Sequence, residues 1–225
     1  MDYSDLYQGP DKYYPCSPYT DSPGFTLLMR LCYNKIRIVP VEEIKLYLDQ
    51  HPEEINQQNN HGWSALMIAA RNSREWSNPQ IVKLLLDHGA DPNVPNNEGC
   101  TSLIFASEHG NIEAVKLLLE YGANPNPNNC RWLPLISSIR QLDITSNIEI
   151  IKLLLAYGAD PKYKTSYGTT AFSSICNIYD ETRHKQVIKL IKKRKSNQLL
   201  IKNQMLKEKN HLLRKELENY AEGNY

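Results

Sequence analysis

Apolar residues recur along the chain in one long phrase. The segment 81–93 reads Ile-Val-Lys-Leu-Leu-Leu-Asp-His-Gly-Ala-Asp-Pro-Asn, and close copies stand at 114–126 and 150–162. The copies are offset by 33 and 36 residues. A period of this length indicates stacked supersecondary units, each of which needs its neighbours to bury its apolar face. The pattern therefore predicts a helical array that presents surface to a partner.

Each unit is predicted to hold two helices whose first residues can be recognised. A hydroxyl or carboxamide side chain just before a helix can accept hydrogen bonds from the exposed backbone N–H groups of its first turn. Residues of this kind precede first helices at Thr26, Ser64, Thr101 and Thr170, and second helices at Asn111 and Asn147. Pro134 suits the first position of a helix, where the missing N–H costs nothing.

The predicted second helices also have clear ends. Gly89, Gly122 and Gly158 follow the leucine runs, at the place where a residue in the left-handed conformation ends a helix. The Asn-, Pro- and Gly-rich stretches that come next, such as 91–99 and 124–130, predict turns or hairpins. Each unit is therefore predicted to be a helix, a turn, a second helix and a projecting loop.

Together these motifs resemble the ankyrin repeat. The segment 99–106, Gly-Cys-Thr-Ser-Leu-Ile-Phe-Ala, is similar to the family's Gly-x-Thr-Pro-Leu-His-x-Ala, and 62–70 matches it as well. A fourth copy has Arg131 where the others have glycine, so we expect its turn to be reshaped. The resemblance implies an all-α solenoid of helix-turn-helix units with hairpin loops. In style, the repeats resemble ankyrin proteins of large DNA viruses of amoebae.

The repeats divide the chain into an array with two appendages. Residues 1–20 combine five tyrosines with three prolines and predict a flexible arm, or else an arm laid on the first unit or on a partner. Residues 192–225 predict a basic C-terminal helix. The ankyrin-repeat domain at 21–191 contains about five units, at 21–58, 59–95, 96–127, 128–164 and 165–191.

The C-terminal segment carries a heptad pattern. Apolar or Asn residues are spaced alternately by four and three, at Leu199, Asn203, Leu206, Asn210, Leu213, Leu217 and Tyr220. This pattern is typical of a coiled coil, and the surrounding lysines favour an acidic helix as its partner. A lone amphipathic helix, a helix docked on the last repeat and a helix on a membrane surface are the alternatives. A basic run that resembles a nuclear import signal is formed by Lys192, Lys193, Arg194 and Lys195.

Charge is unevenly distributed along the chain. Residues 183–220 hold twelve Lys or Arg and three Asp or Glu, a balance of +9, whereas the other residues have a balance of −8. The five cysteines are widely spaced and form no Cys-x-x-Cys motif, and the first residues are polar. We therefore expect an intracellular, cytoplasmic protein with free thiols, without a membrane span, for which nuclear entry stays open.

No motif for chemistry is found in the sequence. A phosphate-binding loop, a Gly-x-Ser-x-Gly turn and a His-Glu-x-x-His motif are all absent, and the six histidines are dispersed. We expect no enzymatic activity, no cofactor and no metal site. The remaining function is the binding of a protein. Adaptor activity for a ubiquitin ligase and a scaffold that associates with nucleic acid through the basic tail are the alternatives.

The resemblance implies that partners contact the hairpin tips and the inner face of the first helices. The corresponding residues here are Asn60, His61 and Trp63; Asn97, Glu98 and Cys100; Asn129, Cys130 and Trp132; and Ser166, Tyr167 and Thr169. Trp63 and Trp132 each follow the turn position, and we expect both to face the partner as hot spots. The alternative is that each tryptophan packs beneath the adjacent hairpin.

Overall fold

A computed structural model describes residues 23–33, 39–72, 79–128, 130–141, 146–176 and 181–193. Within these ranges the regular structure is entirely helical and consists of five successive helix pairs and a short 3-10 helix at Pro52–Glu54. The pairs are α1 (Leu27–Tyr33) and α2 (Val41–Gln50); α3 (Ala65–Asn72) and α4 (Pro79–Asp87); α5 (Ser102–Glu108) and α6 (Ile112–Glu120); α7 (Pro134–Arg140) and α8 (Ser146–Ala156); and α9 (Ala171–Ile175) and α10 (Glu181–Lys192).

The helix pairs stack into two layers. The first helices pack on one another in chain order, from α1 to α9, and form an inner layer. The second helices, from α2 to α10, form an outer layer in the same order. One continuous apolar core runs between the layers through all five pairs. This arrangement confirms the predicted all-α solenoid.

Four of the six predicted capping residues make the expected hydrogen bonds. The side-chain oxygens of Thr26, Ser64, Asn111 and Thr170 accept from the backbone N–H three residues later, at 3.2, 3.3, 3.0 and 3.3 Å. Thr101 was expected to cap α5, but its buried hydroxyl has no hydrogen-bond partner. Asn147 was expected to cap α8, but it lies inside the helix and donates to the Gln141 carbonyl instead.

The leucine runs form the centre of the core, as the pattern predicts. Eight of the nine leucines at 84–86, 117–119 and 153–155 are buried, and Leu117 is half-buried. The glycines that follow the three runs have φ values of 86°, 85° and 96°, which confirms their place at the left-handed end of a helix. Pro134 is the first residue of α7, as expected.

Asparagine side chains join consecutive units on the side of the second helices. Asn56, Asn93 and Asn126 each donate to the carbonyl of the helix-ending glycine in the next unit, over 3.1, 3.0 and 2.9 Å. The same three carboxamides accept from the backbone N–H groups of Asp91, Asn124 and Asp160, over 2.9, 2.7 and 2.8 Å. We call these contacts the asparagine bridges. At the equivalent place in the fourth unit stands Lys162.

Several expectations fall outside the described residues. These are the arm at 1–20, most of the basic tail at 192–225, including Arg194 and Lys195, and the hairpin residue Asn129. Lys192 and Lys193 are exposed at the end of α10. Each predicted unit contains one helix pair, but the unit boundaries stay predictions.

Candidate partner-binding surface

Four hairpin tips precede the inner helices α3, α5, α7 and α9, at 59–62, 96–99, 128–131 and 165–168, of which residue 129 is outside the described residues. In three of them the last residue is a glycine with φ between 75° and 78°, whose N–H donates to the first residue of the tip. The side-chain oxygen of that first residue, Asn59, Asn96 or Thr165, accepts two further backbone N–H groups. Each of these tips is therefore held in one conformation by its own first side chain.

Neighbouring tips are also joined to each other. Backbone hydrogen bonds run from Asn60 to Pro23, from Asn97 to His61 and from Ser166 to Cys130, over 3.1, 3.2 and 3.1 Å. The Asn97 side chain adds a bond to the Asn60 carbonyl over 2.8 Å. These bonds join the tips at 59–62 and 96–99 to each other and Cys130 to the tip at 165–168. Tips of such fixed geometry, which we call the hairpin edge, suit a surface that meets a partner with little reorganisation.

Most of the predicted contact residues are accessible on this edge. Asn60, His61, Asn97, Ser166 and Tyr167 are exposed, and Glu98, Trp132 and Thr169 are half-buried. Among these side chains Tyr167 is the most prominent apolar one, with 71% of its surface exposed.

Trp63 does not face a partner; it follows the alternative of packing beneath the hairpins. Its side chain is 1% exposed. The ring stacks on Phe105 of α5, with centroids 4.3 Å apart and planes 25° apart, and the Arg71 guanidinium lies 6.0 Å from its centroid. The backbone N–H of Trp63 is held by Asn59, and burial of so large an apolar side chain stabilises the fold. Trp63 is therefore a core residue.

Cys100 and Cys130 are also buried, which corrects the expectation that they contact a partner. The Cys130 thiol donates to the Pro127 carbonyl over 3.3 Å. Burial raises the pKa of this thiol to about 11, and the nearby Cys100 adds to the shift. Both thiols lie behind the hairpin edge.

The tip at 128–131 differs from the others because Arg131 stands in place of glycine. Asn128, its first residue, is exposed and its carboxamide oxygen accepts from the Tyr163 hydroxyl. The Arg131 guanidinium lies 5.5 Å from the centroid of Trp132 and 5.6 Å from that of Tyr167. The loss of glycine thus brings a cation between two aromatic rings of adjacent tips.

A second arginine reaches the same tryptophan from the inner layer. Arg140 is the last residue of α7, and its guanidinium lies 4.4 Å from the Trp132 centroid. Two guanidiniums therefore share one aromatic ring. We call Arg131, Trp132, Arg140 and Tyr167 the arginine–aromatic cluster.

The cluster surrounds a pocket of about 200 Å³. Its volume is below the range usual for small-molecule sites, and two of its walls are cations. It suits a single polar side chain better than a cofactor. The pocket is lined by Arg131, Trp132, Ile136, Arg140, Thr165, Tyr167 and Thr169.

Sequence reasoning found Trp132, Tyr167 and Thr169 but missed the two arginines. A positional signal existed for Arg140. It stands seven residues after the capping position of its unit, as do Arg71 and Glu108 in the two preceding units. This register forms a row of alternating charge along the inner layer. Burial raises the pKa of the Glu108 carboxyl, although the Arg71 and Arg140 charges act in the opposite direction.

No group of three or more His, Cys, Asp or Glu side chains in the described ranges is arranged to hold a metal ion. None of the described helices combines the length and apolar character that crossing a membrane requires.

Comparison with known proteins places these features in a family. A family model described as ankyrin repeats in three copies matches residues 14–96 and 75–165. Two ankyrin repeat proteins of Acanthamoeba polyphaga mimivirus are 46% and 43% identical over 98 and 91 residues, or 40% and 39% of this chain. The matched region spans only 17% of the length of each relative.

A third match concerns an enzyme. The NAD-capped RNA hydrolase of Homo sapiens is 39% identical over 59 residues, which are 26% of this chain and 12% of that protein. The match lies in a repeat region and carries no evidence of catalysis.

Proposed function

Because the chain belongs to the ankyrin-repeat family, whose members are generally protein-interaction modules, we propose that it is a non-enzymatic module that binds a protein partner. Its contact surface consists of the hairpin tips and the inner helices, and the arginine–aromatic cluster is its centre. Asn60, His61, Asn97, Glu98 and Ser166 form the polar remainder of the edge.

The observation that carries this proposal is the exposure of Tyr167 beside Arg131. Tyrosine and arginine are enriched among the residues that contribute most to protein interfaces, since both offer large contact area together with hydrogen-bond donors. Here an exposed tyrosine and two arginines meet a half-buried tryptophan on an edge whose backbone is fixed by hydrogen bonds. The other tips present only Asn, His and Glu to solvent.

The two alternative functions rest on the basic tail. Ubiquitin-ligase adaptor activity would require a recruitment segment in 192–225, and association with nucleic acid would use the lysines there. Almost all of that segment is outside the described residues, so no observed contact favours either function over protein binding through the hairpin edge.

Affinity capture from an amoeba lysate tests the proposal, because the similar viral proteins come from a virus of Acanthamoeba. The full chain is compared with a double variant of the edge, Arg131→Ala with Tyr167→Ala. The control, Lys45→Ala with Leu46→Ala, removes one exposed cation and one exposed apolar side chain from α2 on the outer layer.

Quantitative mass spectrometry of the captured proteins gives the result. We expect a partner whose recovery falls about tenfold or more with the edge variant, as loss of a hot spot predicts, and stays unchanged with the control. Equal recovery of every captured protein with the two variants would show that the contact surface lies elsewhere.

A further inference from the structure

We infer that the pocket of the arginine–aromatic cluster receives an Asp or Glu side chain from an extended acidic segment of the partner. This inference rests on the proposed function and adds the chemical class of the segment that is bound. The Arg131 and Arg140 guanidiniums would hold the carboxylate, and Trp132 and Tyr167 would pack against the stem of the side chain and the flanking backbone.

The first argument is that neither arginine has a salt-bridge partner in the described part of the structure, although the Glu108 charge acts on Arg140 from farther away. Neither guanidinium makes a salt bridge with any Asp or Glu there. Each is instead held by aromatic rings, which leaves its N–H donors available to an acceptor. Two arginines oriented toward one small pocket match the planar, bidentate geometry of a carboxylate.

The second argument is the local charge. The pocket lining contains two basic residues, Arg131 and Arg140, and no acidic residue. Acidic residues do lie nearby in the chain, since Asp143 and Asp160 adjoin the two segments that build the cluster. The Glu108 charge also acts on Arg140. Outside the tail the chain carries a balance of −8, so the cluster is a positive region on an acidic body.

The third argument concerns size and hydrogen bonding. A pocket of about 200 Å³ accommodates one side chain, and a protruding carboxylate fills it without displacing the rings. The hydroxyls of Tyr167 and Thr169 at its border can donate to a carboxylate oxygen or to the backbone of the segment. The partial burial of Trp132 removes water from the contact, which strengthens the charge-assisted hydrogen bonds.

The same residues favour a peptide over a nucleic acid. A base would need an open aromatic face to stack on, but the Trp132 ring already carries two guanidiniums. A long polyanion would also extend across the acidic surface of the neighbouring units and be repelled there. A short acidic segment contacts only the positive region.

A peptide titration tests the inference on the full chain. The probe is a short fluorescein-labelled peptide of alternating Glu and Ser, followed by fluorescence anisotropy at low salt. The same peptide with Gln in place of Glu tests the need for charge, and a deoxythymidine oligonucleotide of equal charge tests the nucleic-acid alternative. The site variant is Arg131→Gln with Arg140→Gln. The matched control, Lys207→Gln with Lys209→Gln, removes two charges from the basic tail.

We expect the Glu peptide to bind more tightly than the Gln peptide and the oligonucleotide. The site variant should weaken its binding about tenfold or more, because two charge-assisted hydrogen bonds are lost, and the tail variant should change it less than about twofold. Equal weakening by the two variants would assign the binding to non-specific attraction and overturn the inference. Tighter binding of the oligonucleotide, again dependent on the two arginines, would also overturn it.

The two proposals can fail separately. If the Glu peptide does not bind, but capture of the cellular partner still requires Tyr167, then the acidic segment is wrong and the interaction surface stands. If capture is independent of the edge while the Glu peptide binds through the arginines, then the cellular partner uses another surface and the affinity of the pocket for an acidic segment stands. Circular dichroism of each variant confirms that the solenoid is folded.

Discussion

Trp63 and Trp132 occupy the same place after their tips but have different neighbours. The Trp63 ring stacks on that of Phe105, which stands four residues after the capping position of the next unit. At the equivalent position after Trp132 stands Ser174, which offers no ring. Trp132 is therefore left half-buried and is contacted by arginines. The residue opposite each tryptophan therefore determines whether the tryptophan ring is buried in the core or lies at the surface.

This difference gives a prediction for two single substitutions. Trp63→Ala should lower the free energy of unfolding by about 3–5 kcal/mol, because it removes a fully buried ring and leaves a cavity. Trp132→Ala should cost about 1 kcal/mol, since its ring is partly solvated and its contacts are cation–π. Urea denaturation followed by circular dichroism measures both. Similar losses from the two variants would contradict the assignment of Trp132 to the surface.

At the scale of helices and turns, the sequence predicts the features that depend on residues close in the chain. It does not predict the contacts between units. Helix positions follow from leucine periodicity and from caps such as Ser64, because both depend on residues close in the chain. Thr101 and Asn147 look like equally good caps, but the buried Thr101 hydroxyl has no hydrogen-bond partner and Asn147 lies inside its helix. The asparagine bridges and the arginine–aromatic cluster join residues about 30 or more apart or from neighbouring units, so no single motif shows them.

The asparagine bridges predict an asymmetry between equivalent positions. Asn93→Ala should lower the free energy of unfolding by about 1–2 kcal/mol, because hydrogen bonds to Gly122 and Asn124 are both lost. Lys162→Ala, at the same position of the fourth unit, should change it by less than about 0.5 kcal/mol, because Lys162 is an exposed surface residue. Urea midpoints of the two variants decide this. Equal changes in the free energy of unfolding would mean that the bridges do not stabilise the contact between units.

For the whole molecule, stability comes from contacts between units that follow one another in a single row. Each helix pair packs mainly on the pairs before and after it, and the core is continuous from end to end. Damage to a central unit therefore weakens two interfaces, whereas damage to the last unit weakens one. The consequences of a substitution should depend on its place in the stack as well as on its burial.

Leu118 and Val187 test this at equal burial, since both are fully buried. Leu118→Ala in the third unit should cost about 2–5 kcal/mol and shift the whole unfolding transition to lower urea. Val187→Ala in α10 should leave most of the transition in place and add an early, shallow phase as the last unit frays. A single unchanged transition for Leu118→Ala would disprove the assigned core, and identical curves for the two variants would disprove the nearest-neighbour account.

The asparagine bridges also give each of the first three interfaces between units its own reporter. The backbone amides of Asp91, Asn124 and Asp160 are each held by a side chain that belongs to the preceding unit. Such an amide exchanges its hydrogen for deuterium when its hydrogen bond opens, and that bond opens when the two units separate. The exchange rates of these three amides therefore measure, one by one, how often neighbouring units part in the native protein. A partner that spans two units should slow exchange at the amide between them.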